Sequence, residues 1–264
     1  MDHDHAPSTS LPGVVAVLLV DHLPRHRAWA WLQLARGASG LSSAPGLQFA
    51  KVMGSGQDGG FGLRPSATHQ GLVTVFDTLE HAQAFLDGPI VAGYRDRASQ
   101  WWCGLMAVTS TRGSWDGFEW ANTPDDALTQ APQGQGLAVL TRASIRPAKV
   151  AAFWRRSPPA QKALGHAEGC ELAMGLGEAP LLRQCTFSVW RDMPSMIAFA
   201  QTGAHGRAAA SAYRHDFFSE SLFVRMSVLA TAGCWDSAPL SPSAAAPLAT
   251  SDEQASDASE TAHG

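Results

Sequence analysis

The chain has 264 residues, 45% of them hydrophobic, enough to bury a real core as one large domain or two small ones. Its formal charge of −4 is carried by the ends: Asp2, Asp4, Asp252, Glu253, Asp257 and Glu260 are six of the 23 acids, which leaves 17 against 19 basic residues in the body. A near-neutral body excludes the strong basic patch of a nucleic-acid binder and leaves contact with an anionic membrane surface unopposed. Residues 1–12 read as a disordered lead whose acidic, polar start lacks the basic region of a signal peptide. Val14–Val20 (VVAVLLV) reads as a buried strand, too short to span a bilayer. Arg25 to Arg36 reads as a helix with Ala28, Trp31, Leu32 and Ala35 on one face, and Leu47–Met53 as a second strand.

That strand enters the run Gly54-Ser-Gly-Gln-Asp-Gly-Gly-Phe-Gly62, which contains G-x-G-x-x-G. A dinucleotide site needs a helix to start at those glycines, so that its N-terminus meets the pyrophosphate. Pro65 and a new strand, Leu72–Phe76, follow instead, so the run is expected to be a hairpin connection. If it borders a site, Lys51, Phe61 and Arg64 are its chemistry. A helical stretch from Leu79 to Ser99, broken near Gly88-Pro89, precedes a strand at Leu105–Thr111 that ends in Gly113-Ser-Trp-Asp116. Residues 117–135 are polar, with Pro and Gly, and read as a linker; residues 237–264 read as a disordered acidic tail.

Beyond the linker the pattern restarts. Ala16-Val17-Leu18 matches Ala138-Val139-Leu140, Met53-Gly54 matches Met174-Gly175, Val75-Phe76 matches Val189-Trp190, and Gly113-Ser-Trp-Asp116 matches Gly233-Cys-Trp-Asp236. The expected fold is therefore α+β: two tandem ferredoxin-like (βαββαβ) repeats, 13–116 and 136–236, closing sheet on sheet as a pseudo-symmetric α/β barrel. Cys103, Cys170, Cys185 and Cys234 stand far apart without a C-x-x-C pair, which argues against a zinc site or a disulfide scaffold and fits a reducing cytosol.

No nucleophile elbow, P-loop, zinc helix or carboxylate pair is present, so the candidates come from differences between the repeats. His205, in the strand-to-helix segment after Gly203, falls opposite Val91 and shares a helical face with Ala208, Ala209 and Ala212. That leaves a shallow floor under a ligand-capable histidine; the plainer reading is a helix packed close to a sheet. His69, His81, His166 and His215 are the other internal histidines. Arg225 stands in the apolar strand Leu222–Leu229 opposite Leu105, either solvated at an edge or polar within a cavity. The body is rich in tryptophan, mostly core material.

Several long strings resemble the spheroidene monooxygenase family, the acyclic carotenoid 2-ketolases. They are Gly165-His-Ala-Glu, Met174-Gly-Leu-Gly-Glu-Ala-Pro-Leu-Leu-Arg-Gln-Cys-Thr-Phe-Ser-Val-Trp190, Ser195-Met-Ile-Ala-Phe-Ala200, Gly203-Ala-His205 and Glu220-Ser-Leu-Phe-Val-Arg225. Phe49-Ala-Lys-Val-Met-Gly-Ser-Gly56, Gly60-Phe61 and Arg64-Pro65 resemble its glycine-rich segment, so the likeness spans residues 14–236. The resemblance implies a haem monooxygenase that uses O2 and a ferredoxin-type electron donor to oxidise C-2 of a linear carotenoid to a ketone. It implies a cytoplasmic protein in peripheral contact with the inner membrane, where so insoluble a substrate resides. Within it, His205 stands as axial haem ligand above Ala208, Ala209 and Ala212. Arg225 is placed to meet a haem propionate or bound oxygen, and Lys51 or Arg64 a propionate. Two other readings remain: a haem lyase of aldoxime-dehydratase type, which needs no reductant, and a non-enzymatic barrel for an apolar ligand.

Overall fold

The computed structural model describes residues 10–11, 13–60, 62, 64–123, 136–156, 164–179, 181–201, 216–236 and 246–247. The first half runs β1 (Val14–His22), α1 (Arg27–Arg36), β2 (Leu47–Gly56), β3 (Pro65–Phe76), α2 (Leu79–Leu86), α3 (Pro89–Arg95) and β4 (Ala98–Trp115). The second runs β5 (Leu137–Ile145), α4 (Val150–Arg156), β6 (Cys170–Ala179), β7 (Arg183–Trp190), α5 (Met193–Gln201) and β8 (Phe218–Cys234). The strands are neighbours in the order β4-β1-β3-β2-β6-β7-β5-β8, and β8 returns to β4, every pair antiparallel. The result is a closed eight-stranded antiparallel barrel with the helices outside.

Alternation along each strand divides the apolar residues into an interior set and outer layers. Val15, Val17, Leu19, Met53, Val73, Trp102, Met106, Leu140, Met174, Phe187, Val224 and Met226 fill the barrel. Val14, Ala16, Leu18, Leu72, Phe76, Phe85, Val91 and Leu105 form the layer beneath α2 and α3. A smaller layer, Leu137, Val139, Leu164, Trp190 and Met196, lies outside the second half. VVAVLLV is buried on both faces, as a continuous apolar run demands.

The helical stretch breaks where expected. Thr78 caps α2 by accepting from the His81 N–H at 3.2 Å, and Pro89 opens α3. Strand β4 is longer than its apolar run, because Gly113 (φ 91°) turns it against β8: a Cβ there would meet the Ser221 carbonyl oxygen at 2.0 Å. Gly233 repeats that backbone (φ 83°), and Asp116 and Asp236 both take φ near 50°. The expected linker begins later than its composition suggested. Phe118–Trp120 pairs back on β4, and Thr123 clasps the body by donating to the Gly13 carbonyl at 2.5 Å while its Oγ1 accepts from the Val108 N–H at 2.9 Å.

One correspondence between the halves is corrected. Ala16 and Leu18 point out of the barrel, whereas Ala138 and Leu140 point in, so the matched trios lie on opposite faces. A one-residue slip reverses every side chain of a strand, and Val15 and Val17 are the residues that share the inward face with Ala138 and Leu140.

Candidate functional site

The two halves expose very different outer faces. In the first, Val52, Leu72, Leu18, Cys103 and Ala232 stand side by side across β2-β3-β1-β4-β8, and helices cover them. In the second, the row in the same place is Gly175, Thr186, Thr141, Phe223 and Arg112 across β6-β7-β5-β8-β4. The next row is Ala173, Ser188, Val139, Arg225 and Ser110, against Ala50, Thr74, Ala16, Leu105 and Ala230 in the first half. Val, Leu and Leu have become Gly, Thr and Thr, and one Leu has become Arg. The second face is therefore a trough with a small, hydroxyl-bearing floor, Arg225 on its wall and Arg112 at its edge.

Thr141 is exposed and Thr186 half-buried on this face, whereas Gly175, Ser188 and Val139 are buried. Helix α5 covers one flank: Met196 is buried, and the Phe199 ring lies 5.4 Å from Trp190. The Trp190 indole donates to Ser188 Oγ at 3.0 Å, which fixes both. Met193 and Ile197 of the same helix, and Phe223 of β8, remain exposed among the described residues. Arg225 rises between them, donating through Nη2 to Ser110 Oγ at 3.2 Å and lying 3.8 Å from Met193 Sδ. Its Nε is buried without a hydrogen-bond partner, a donor that costs about 1–3 kcal/mol unless something else accepts from it. A group bringing carboxylate oxygens into this trough would satisfy it. No thiolate is on offer: burial pushes Cys170, at the edge of this face, up to about 11 and Cys103 up to about 12.

The other expected residues fall elsewhere. His205, Ala208, Ala209 and Ala212 lie outside the described residues, as do Phe61 and His215. Lys51 points into the barrel, over the Phe49 ring, and is ion-paired with Asp116 and 3.9 Å from Glu178; it lies on the opposite face of the wall from Arg225. Arg64 is exposed at the end of the glycine-rich run. The described part of that run closes on itself, Gly56 N–H donating to Gly60 O at 3.2 Å and Gln57 N–H to Arg64 O at 2.7 Å, as a hairpin connection does. The structure thus places Arg225 on one face with Phe223 and with Thr141 and Thr186, two threonines the sequence alone did not single out, and separates it from Lys51. His81 pairs with Asp77 on the surface at 2.6 Å, and His166 is exposed. Among the described residues no group of His, Cys, Asp and Glu is placed to hold a metal ion.

Known proteins decide the family. A spheroidene monooxygenase of Rubrivivax gelatinosus is 44% identical over 234 residues, covering 88% of this chain and 89% of the relative. That of Rhodobacter capsulatus is 32% identical over 78% of this chain and 86% of its own length. The chain belongs to the spheroidene monooxygenase family. It is an enzyme, an oxidoreductase. A third member, from Cereibacter sphaeroides, is 31% identical over 80% of this chain and 64% of its own. No family model matches the sequence. In fold, the protein is similar to crystal structures of aldoxime dehydratase: one at TM-score 0.53 and 12% identity over 86% of this chain and 88% of the other, and a butyraldoxime complex at 0.54 and 11% over 82% and 79%.

Inside its barrel, this spheroidene monooxygenase family member carries two polar clusters that the sequence did not announce. Arg142, 1% exposed, pairs with Glu220, lies 3.2 Å from Asp116 and 3.8 Å from Glu178, and stacks 5.6 Å from the Trp115 ring. Lys51 and Arg183 complete the charge balance, and the Trp115 indole donates to Glu178. Burial raises the Asp116 and Glu220 carboxyls, but Lys51 and Arg142 on the first, and the Gly117 N–H with Arg142 on the second, outweigh it and hold both below their ordinary values. The second cluster is His69, 3.3 Å from Asp21 and 2.9 Å from Ser66, edge-on to Trp235. Ser66 and Asp21 meet the same ring nitrogen, Nδ1, so this is no nucleophilic triad, which needs them on opposite nitrogens.

Proposed function

We propose that this chain is a haem-dependent monooxygenase that introduces a keto group at C-2 of a linear carotenoid of the spheroidene type, using O2 and a reduced ferredoxin. The substrate rests on the names of the relatives, one of them 44% identical. The haem rests on the trough of the second half, and the observation that carries it is Arg225. Its buried Nε has no hydrogen-bond partner and stands on the face whose floor carries smaller side chains than the first half's, and such a place suits a flat macrocycle that ends in carboxylates. Arg225 would hold a propionate, Thr141 and Thr186 would leave room for the group, and His205, beside Ala208, Ala209 and Ala212, would bind its iron. Lys51, satisfied by Asp116, belongs in this reading to the barrel interior.

Haem, when bound, supplies the activation of O2. The chain's own work is to position the substrate and exclude water. Phe223, Met193 and Ile197 offer exposed apolar surface for one end of a polyene, beside the packed Trp190–Phe199 pair. Two successive hydroxylations at one methylene, each consuming one O2, two electrons and two protons and releasing one water, give a gem-diol. Its loss of water leaves the ketone.

The architecture in this reading is a pair of tandem ferredoxin-like units. Each half presents its strands in the same neighbour order, β4-β1-β3-β2 and β8-β5-β7-β6. Along β4 and β8, Gly113 faces Leu222 and Gly233 faces Trp102, positions that exchange under an offset of 120. Both facts support a two-fold relation between the halves.

The test is haem uptake by the full chain. A Soret band on reconstitution, lost in His205→Ala and in the paired variant Thr141→Leu with Thr186→Leu, is the expected result. The paired variant restores first-half residues to the floor and keeps the parent's melting point, so its loss is one of room. An unchanged band in the paired variant would remove the trough as the site, and the absence of any band in the parent would remove the haem reading. Conversion of spheroidene to its ketone by the loaded protein with reduced ferredoxin then checks the reaction.

A further inference from the structure

Helix α1 (Arg27–Arg36) carries the apolar face expected from its sequence, and that face is turned outward. The helix rests on the barrel through other residues: Ala30 is fully buried, Leu34 lies against Gly54, and Trp29 packs edge-on to His22 and Tyr94. Gln70 holds it from below, donating to the Ala30 carbonyl at 2.6 Å. Trp31 and Leu32 point away, 48% and 47% exposed, the two most exposed large apolar side chains among the described residues. Ala28 and Ala35, a turn to either side, are exposed and too short to shield them. A lone exposed leucine is ordinary, but a tryptophan and a leucine side by side at the middle of a helix form a contact surface.

The charges on α1 and its flanking segments have one sign. Arg25, Arg27 and Arg36 are all exposed, and residues 23–45 contain no Asp or Glu, in a chain of formal charge −4. Arg97, at the end of α3, sits with its guanidinium 4.7 Å from the Trp29 ring and continues the basic rim; its neighbour Asp96 is the exposed acid beside it. Indole and arginine together, with no acid on the helix itself, suit the headgroup zone of a bilayer, where the ring finds a half-polar layer and the guanidinium finds phosphate. A second copy suits it less, because a two-fold contact through this face would set arginine against arginine.

We propose that α1 is the surface by which this protein lies on an anionic bilayer, Trp31 and Leu32 entering the headgroup layer and Arg25, Arg27 and Arg36 pairing with lipid phosphates. The inference rests on the carotenoid reading, which makes the bilayer the reservoir of substrate. It gives that contact a place and a lipid preference.

Flotation of the full chain with phosphatidylglycerol vesicles and with phosphatidylcholine vesicles, without carotenoid or haem, tests it. The protein is expected to float with the anionic vesicles and to be released by salt. Arg25→Gln, Arg27→Gln and Arg36→Gln are each expected to weaken partition about fivefold, and together on the order of a hundredfold, from the usual worth of a basic residue at an anionic surface. Trp31→Ser with Leu32→Ser is expected to weaken it at least about tenfold while the melting point stays put, since neither side chain is core. A parent chain that stays with the soluble fraction overturns the proposal, as does a Trp31/Leu32 variant that floats like the parent. So does a variant that turns a dimer into a monomer without changing flotation, because the face is then a contact between copies. A protein that does not float but ketolates a detergent-dispersed carotenoid refutes the docking surface and leaves the enzymatic reading standing.

Discussion

Replacing Arg142 with Leu, the residue that occupies the matching inward position of β1 at Leu19, removes the cation on which three carboxylates converge. Taking one partner from a buried ion pair costs about 3–5 kcal/mol, because the remaining charge stays desolvated. Here the survivors are not abandoned. Glu220 keeps the Gly117 N–H at 2.8 Å and Ser114 Oγ at 3.0 Å, and Lys51 and Arg183 remain on Asp116 and Glu178. The low end, about 3 kcal/mol, therefore applies, a fall in melting temperature of about 6–12 °C for a body of this size. Thermal melts of the parent, Arg142→Leu and Arg142→Leu with Glu220→Gln measure it, and the double variant recovers part of the loss because the orphaned carboxylate is gone. Acid sharpens the test. In the parent, the Asp116 and Glu220 carboxyls are held below their ordinary values of 3.8 and 4.5, so their contribution is present above those values and is lost as pH falls through the lower folded ones. Without Arg142, Glu220 takes up its proton at higher pH than in the parent, and the gap between parent and variant narrows as the pH falls below 4.5 towards the parent's lower folded value. A single variant that melts within about 2 °C of the parent, or a double variant worse than the single, would show that the cluster does not hold the barrel end.

Two further outcomes follow from the backbone and the core. His22 is buried, and burial outweighs the nearby Gln70 side chain and Arg97 backbone to hold its pKa below 6.5. The unfolded chain therefore binds the proton first, so stability is flat above pH 6.5 and declines below it; His22→Phe removes that decline, and an identical slope in both proteins between pH 7 and 5.5 would contradict the assignment. Gly113→Ala, at φ 91° with a carbonyl oxygen 2.0 Å from the new Cβ, costs about 2–4 kcal/mol in denaturant titration, whereas Gly117→Ala, with positive φ but open space, costs about 1 kcal/mol. Equal losses would mean that the conformation alone, and not the clash with β8, sets the cost.

Much of the fold was legible in the sequence because it is written in alternation and in breakers. The continuous run Val14–Val20, the break at Gly88-Pro89 and the paired Gly-x-Trp-Asp ends each have one physical meaning, and the structure agrees with it. Helix α1 shows where such reasoning stops. Its periodicity is real, but periodicity does not say which side faces the barrel, and the narrower Ala30–Leu34 side fits against Gly54 where Trp31 would not. The trough was missed for a related reason: Gly175, Thr186 and Thr141 are unremarkable singly and gain meaning only beside Val52, Leu72 and Leu18, which needs the register of the strands. Arg142 had a signal, a charge in an alternating apolar strand, yet nothing local could name its three partners, which come from two other strands and a turn.

The two seams that join the halves are unequal. One runs the length of β4 and β8, from Leu222 facing Gly113 to Cys234 facing Trp101, whereas β2 and β6 meet through Gly54 facing Gly177 and Ser55 facing Leu176, with the Ser55 hydroxyl donating to the Gly175 carbonyl at 2.5 Å. Mechanically, the barrel is a cylinder welded on one side and latched on the other. Its compliance is concentrated at the latch, and β6, which bears that latch, also supplies Ala173 and Gly175 to the trough floor. The wall of the candidate site is thus the part of the molecule able to give most at least cost, a property suited to admitting a ligand that is itself a stiff rod.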